Sequence, residues 1–112
     1  MALLDKLQAS RETWVDTGGF SFKLRRPHAL ALQRMRDDNL ISGEVVINVI
    51  LDWKNVKESD VVPGGGSDPV PFESALWREW ISDRPELWSD IMEALTASLT
   101  AYTTRLGQAE KN

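Results

Sequence analysis

Cysteine is absent from the sequence, and histidine occurs once, as His28. Without cysteine the chain has no disulfide, no thiolate nucleophile and no cysteine-based zinc or iron–sulfur site. A single histidine without a second ligand at a characteristic spacing does not indicate a metal site. No nucleophile-elbow motif is present either. We therefore expect no cofactor and no metal, and we expect that the protein is not an enzyme.

The sequence also lacks long apolar runs and an excess of positive charge. No stretch approaches the roughly 20 apolar residues of a membrane span, and Asp5 and Lys6 interrupt the amino terminus too early for a signal peptide. The formal net charge is −4, whereas nucleic-acid-binding proteins are normally basic. We expect a cytoplasmic protein that has no membrane partner. Nucleic acid is disfavoured as a partner, although Lys23, Arg25 and Arg26 form one local basic cluster.

What the sequence does contain is a globular composition rich in tryptophan. With 112 residues, of which 42% are hydrophobic and 27% charged, residues 1–112 are predicted to form a single domain. Tryptophan rings fill cores and also dominate interface hot spots, so both roles are open for these side chains. The five tryptophans are Trp14, Trp53, Trp77, Trp80 and Trp88.

In the amino-terminal third of the chain, the sequence predicts a short terminal segment, a β-hairpin and a helix. Residues 1–12 are expected to be a short helix or a frayed end, because the segment is too short to be stable alone. In residues 13–26, apolar and polar side chains alternate around a Thr-Gly-Gly turn, which predicts a β-hairpin. Pro27 ends the second strand, and good helix formers follow in residues 28–37.

Residues 40–53 carry two conflicting signals. The β-branched run at 45–50 favours a strand. Apolar residues at positions 45, 46, 49, 50 and 53 instead form the stripe of an amphipathic helix. We favour the helix, and the strand remains the alternative.

The rest of the chain predicts a loop and two helices. Prolines and three consecutive glycines make residues 54–71 a flexible loop. Apolar periodicity predicts helices at 73–82 and 84–106, and Gly107 begins a loose tail, 107–112. The predicted fold is mainly α, a small helical domain of about four helices with a short N-terminal β-hairpin.

Several segments have the order and spacing of one protein family. These are a strand with a basic pair and proline at 22–27, an apolar helix that ends in tryptophan at 49–56, a Pro-Val-Pro-Phe turn at 69–72, and Arg-Pro-Glu-Leu-Trp at 84–88 before the last helix. In this order they resemble the tail assembly chaperones of long-tailed bacteriophages. The resemblance extends over about residues 20–105.

The resemblance implies a function and a location. Such chaperones bind the tape-measure protein and keep it soluble until tail-tube subunits polymerise around it. The implied partners are therefore the tape-measure protein and, as a second candidate, the tail-tube protein, with self-association left open. The implied location is the cytoplasm of the bacterial host, with absence from the mature virion.

Four aromatic residues are the candidate partner-binding site: Trp53, Phe72, Trp77 and Trp80. They border the predicted loop, where exposed rings would anchor a partner; the alternative is that they fill the core. Two other functions stay open. One is a phage head–tail or tail structural protein retained in the virion, and the other is a small nucleic-acid-binding regulatory domain that uses Lys23, Arg25 and Arg26.

Overall fold

The computed structural model describes residues 2–111, with side chains as far as Gln108. Its three strands lie among the helices in the first half of the chain, and only helices follow the last strand. The helices are α1 (Leu3–Ala9), α2 (Ala29–Asp37), α3 (Ser42–Val49), α4 (Glu58–Val61), α5 (Ser74–Ile81) and α6 (Trp88–Lys111), and the strands are β1 (Glu12–Thr17), β2 (Phe20–Arg25) and β3 (Ile50–Lys54). A 3-10 turn, Pro85–Leu87, precedes α6.

The fold is α+β, so the predicted mainly α domain of about four helices with a short hairpin is wrong. The strands form one antiparallel sheet in the order β1-β2-β3. β3 is the element that changes the fold class, because it turns the predicted hairpin into a three-stranded sheet. A two-stranded hairpin is marginal alone, and a third strand with a covered face stabilises it.

The hairpin predicted within residues 13–26 is confirmed as β1 and β2. Gly18 and Gly19 form its two-residue turn at φ +62° and +86°, the left-handed backbone that glycine adopts without strain. Phe22 and Leu24 point to the covered face and are fully buried. Period-two alternation therefore identified the buried face correctly.

Residues 40–53 contain both predicted structures, one after the other. The helical stripe is real in α3, where Val46 and Val49 are buried. The backbone then becomes extended at Ile50 (φ −99°, ψ 132°), and β3 pairs with β2 so that Trp53 lies opposite Phe22. The predicted helix is thus right for α3 and wrong for β3, because pairing with the free edge of β2 overrides the local pattern.

The segment predicted as a flexible loop, 54–71, contains local structure. Its first residue is the end of β3, and α4 forms one helical turn within it. Lys57 and Pro69 form an isolated antiparallel bridge, and the Ser59 amide donates to the Gly66 carbonyl over 2.9 Å. Residues 55–70 therefore leave the end of β3 and fold back beside it, where the Val70 amide donates to the Val56 carbonyl. We call this segment the excursion.

The core lies between the sheet, α3, α5 and the first half of α6. Ile91 and Leu95 are the buried residues of α6, and the helix then continues through Gly107 to Lys111, beyond the predicted end near 106. Its 24 residues span about 36 Å. The radius of gyration is 15.8 Å, against about 13 Å for a compact domain of this length. The part of α6 that follows Leu95, which we call its distal half, therefore projects from the core.

Candidate functional site

The three predicted tryptophans lie in the core. Trp53, Trp77 and Trp80 are 5%, 1% and 7% exposed. The rings of Trp53 and Trp80 meet edge to face with centroids 5.6 Å apart, and Trp77 packs on Phe22 at 5.2 Å. Edge-to-face packing of this kind adds stability beyond area burial. These side chains therefore follow the alternative that the sequence leaves open, in which they fill the core.

The indole N–H groups reinforce that role. Trp53 donates to the carbonyl of Val70 over 2.7 Å and Trp80 to that of Asp60 over 3.2 Å, so both hold the excursion after β3 onto the core. Trp77 donates to the Ile47 carbonyl at 3.2 Å. Each buried donor is thereby satisfied within the chain. None of the three is free to anchor a partner in this conformation.

Phe72 is the fourth predicted residue, and it is half-buried. Its ring meets Trp53 edge to face at 5.1 Å. Beside it, two adjoining clefts of about 380 and 300 Å³ separate the excursion from α5, and Trp80 borders the larger one. Val61 and Leu76 line both clefts. Val62 is the exposed large apolar side chain here, at 52%, and the half-buried Val61 and Leu76 present their apolar surface inside the clefts.

A greater number of exposed large apolar side chains lies where α1 meets the distal half of α6. We call this surface the α1/α6 face. Its members are exposed leucines and one tyrosine: Leu3 (80%), Leu4 (62%), Leu7 (51%), Leu99 (37%), Tyr102 (37%) and Leu106 (47%). Leu7, Tyr102 and Leu106 line a common cavity of about 240 Å³, which joins the two helices into one surface. Clustered exposed apolar side chains mark interaction sites, whereas scattered ones do not.

Three arginines line the same cavity. Arg26, at the end of β2, is only 6% exposed, and its guanidinium lies 4.3 Å from the centroid of the Tyr102 ring. Arg11 and Arg105 complete the cationic lining. Burial, and then repulsion from Arg11 and Arg105, lower the pKa of Arg26 from its usual value, although Tyr102 opposes the shift. The α1/α6 face is therefore apolar with a cationic centre.

The basic cluster seen in the sequence is divided by the structure. Glu12 accepts ion pairs from Lys23 at 3.1 Å and from Arg25 at 2.9 Å. The bond from Arg25 has the largest effect and that from Lys23 the next, and together they hold the pKa of Glu12 below its usual value. Arg26 instead turns to the cavity. Two of the three cations thus share one carboxylate and the third lies elsewhere, which divides the contiguous patch that the nucleic-acid alternative needs.

His28 has a structural role at the start of α2. Its Nδ1 accepts the amide N–H of Ala31 at 3.0 Å, which caps the helix. Across the described part of the chain, no three side chains among His, Cys, Asp and Glu come together as a metal site. Over the same residues, no helix combines the length and apolar composition needed to cross a bilayer.

The sequence did contain a signal for the α1/α6 face. Leu3 and Leu7 lie one turn apart, and the apolar stripe of α6 continues past its last buried residue, Leu95, to Leu106. Periodicity identifies such a stripe but cannot say where the core beneath it ends. Comparison of the chain with protein-family models, curated proteins and solved structures finds no match.

Proposed function

We propose that the protein is a phage tail assembly chaperone that binds the tape-measure protein through the α1/α6 face. The tape-measure protein is kept soluble in the host cytoplasm until tail-tube subunits replace the chaperone, which is then absent from the virion. The observation that carries the proposal is the group of six exposed apolar side chains on two helices. The resemblance of residues 20–105 to this chaperone family supplies the identity of the partner.

The physical properties of the face suit a reversible holder of apolar helices. Leucines on α1 and α6 offer area that is stabilising only when covered. The net charge of −4 keeps a loaded complex dispersed. Because the core ends at Leu95 on α6, the face can bind and release without rearranging the sheet.

The test is co-expression with the tape-measure protein from the same gene cluster. We expect the tape-measure protein to become soluble and to co-purify with the wild-type chain. The variant Leu99→Ser/Leu106→Ser should lose both effects while its circular dichroism spectrum stays that of the wild type. Leu30→Ser is the matched control, because Leu30 is 53% exposed but lies on α2.

Two results would refute the proposal. One is a tape-measure protein that stays insoluble with the wild-type chain. The other is equal loss of co-purification in the α6 double variant and in Leu30→Ser, which would show that the α1/α6 face has no special role. Recovery of the chain from purified virions at fixed copy number would instead identify it as a retained structural protein.

A further inference from the structure

Among the side chains that the structure describes, three arginines and no carboxylate line the cavity of the α1/α6 face. Among the side chains described, as far as Gln108, the ion pairs are those of Glu12 with Lys23 and Arg25 and that of Glu86 with Arg84. None of the three cavity arginines takes part in them. Arg26 is the buried member of the three, and a buried charge is stabilised by a counterion, so this arrangement favours the binding of an anion.

The position of Arg11 adds to the electrostatic repulsion between the arginines of the cavity. The Arg26 amide donates to the Arg11 carbonyl at 2.8 Å, which extends the β1–β2 pairing by one residue pair. The two arginines are thus cross-strand neighbours, where like charges repel. Arg105 adds a third charge from α6, one turn after Tyr102.

The guanidinium of Arg26 is already positioned for a planar anion. One side rests on the Tyr102 ring at 4.3 Å, and Nη1 donates to the Pro27 carbonyl at 3.1 Å. An arginine held in this way has lost side-chain freedom before binding, and its remaining N–H groups match the two oxygens of a carboxylate. The fixed geometry therefore favours a carboxylate over a diffuse counterion.

The surroundings of the cavity indicate that the carboxylate belongs to an apolar protein segment. Leu7 and Leu106 flank the arginines in the cavity, and Leu3 and Leu99 extend the apolar surface beyond it. A nucleic-acid backbone would face these leucines with phosphates and would meet a molecule of net charge −4. An amphipathic protein segment instead places apolar side chains on the leucines and an Asp or Glu carboxylate on the arginines between them.

We propose that the cavity between α1 and α6 receives an Asp or Glu carboxylate from an amphipathic segment of the partner, bound by Arg26, Arg11 and Arg105. This inference rests on the proposed function, since it specifies the chemistry of the segment that the α1/α6 face recognises. The leucines supply contact area, and the arginines select segments in which an acid interrupts the apolar stripe.

The first experiment uses glutarate as a probe, so that it does not depend on the tape-measure protein. Glutarate is titrated at constant ionic strength against chloride while the arginine side-chain Nε–Hε signals are followed by NMR. We expect saturable shifts of Arg26 and Arg105. In Arg105→Gln the apparent Kd of glutarate for the Arg26 signal should rise at least threefold, and the control Arg36→Gln on α2 should leave it unchanged. Arg105 and Arg36 are both exposed, so both variants are expected to fold.

The second experiment measures binding of the wild-type tape-measure protein to the same variants. Arg105→Gln should weaken binding about tenfold, Arg105→Lys should weaken it less, and Arg36→Gln should leave it unchanged. Changing single acidic residues of the tape-measure segment to their amides should reproduce the loss with the wild-type chain but add little with Arg105→Gln, as coupled partners do.

Several results would overturn the inference. Glutarate shifts that are absent, or equal in the wild type and Arg105→Gln, exclude a carboxylate site. Shifts of these signals by a DNA oligonucleotide, with no effect of Arg105→Gln on tape-measure binding, assign the charge to nucleic acid. A sedimentation mass of two copies for the wild type and one for Arg105→Gln assigns the face to self-association. If the tape-measure complex is soluble but glutarate does not shift the arginine signals, the carboxylate site is refuted and the proposed function stands. If glutarate shifts the signals but no such complex forms, the carboxylate site is supported and the proposed function is refuted.

Discussion

The indole Nε1 of Trp53 donates a 2.7 Å hydrogen bond to the backbone carbonyl of Val70, 17 residues later in the chain. This bond joins the end of β3 to the return of the excursion that contains α4. A second link, the amide of Val70 to the carbonyl of Val56 at 2.9 Å, lies beside it. Trp53 therefore fixes a segment whose prolines and glycines would otherwise leave it without a defined path.

Trp53→Phe should lower the free energy of unfolding by about 1–3 kcal/mol, because the Val70 carbonyl loses its donor and the core loses ring volume. Urea denaturation measures the change. Trp14→Phe is the control, since Trp14 is 39% exposed, and its effect should stay within about 0.5 kcal/mol. Equal effects of the two substitutions would contradict a core role for Trp53.

Gly43→Ala should destabilise the protein even though alanine is the better helix former. A Cβ at Gly43 would lie 2.8 Å from the Trp88 ring, and the Nε1 of that ring is held by the Ile81 carbonyl at 2.8 Å. Overpacking against a fixed ring typically costs about 1–3 kcal/mol. A Cβ at Gly107, also helical, meets nothing within 4 Å, so Gly107→Ala should raise stability by up to about 1 kcal/mol. Thermal unfolding measures the stability of the two variants. A Gly43→Ala variant that is more stable than the wild type would contradict the close contact between α3 and the Trp88 ring of α6.

Gly65→Ala should loosen the excursion, whereas the neighbouring Gly66→Ala should not. A Cβ at Gly65 would lie 2.7 Å from the carbonyl oxygen of Glu58, but one at Gly66 meets nothing within 4 Å. The clash should open α4, so the Ser59 amide, which donates to the Gly66 carbonyl, should exchange with solvent about tenfold faster. Hydrogen exchange followed by NMR measures this, and unchanged Ser59 protection in Gly65→Ala would disprove the contact.

Glu12→Gln should reduce stability at neutral pH but not in acid. Because Arg25 and Lys23 depress the folded-state pKa of Glu12, the carboxylate stabilises the fold above its unfolded pKa of about 4.3. That contribution is lost as the pH falls through the folded-state pKa. The variant should be about 0.5–1 kcal/mol less stable at pH 7, the size of a partly exposed ion pair, and the difference should shrink below about pH 4. Glu93→Gln, at an exposed position without an ion pair in the described chain, is the control and should change the free energy of unfolding at pH 7 by less than about 0.5 kcal/mol.

Sequence patterns predicted the elements whose partners are close in the chain. The β1–β2 hairpin was predictable because Gly18, Gly19 and the alternation up to Leu24 are local signals. The change from α3 to β3 at Ile50 was not, because the edge of β2 that attracts β3 lies more than 20 residues earlier. Local periodicity contains no information about a distant unpaired edge.

The candidate site shows the same limit. Tryptophan abundance drew attention to Trp53 and Trp80 as candidate partner-binding residues, but composition does not distinguish a core ring from an interface ring. Their assignment needed the carbonyls of Val70 and Asp60, which come from the folded excursion. The cationic cavity was missed because Arg11, Arg26 and Arg105 are far apart in the sequence, and only the fold brings them together.

The division of α6 at Leu95 separates the residues of one helix that the core constrains from those that it does not. Residues before this point are constrained by the core, since Ile91 and Leu95 are buried in it. Beyond it, apart from Tyr102, whose ring packs on the buried Arg26, substitutions alter an exposed stripe without disturbing the sheet, so their effect on the free energy of unfolding stays small. The binding properties of the distal half can therefore be altered by substitution while the fold that supports it stays the same.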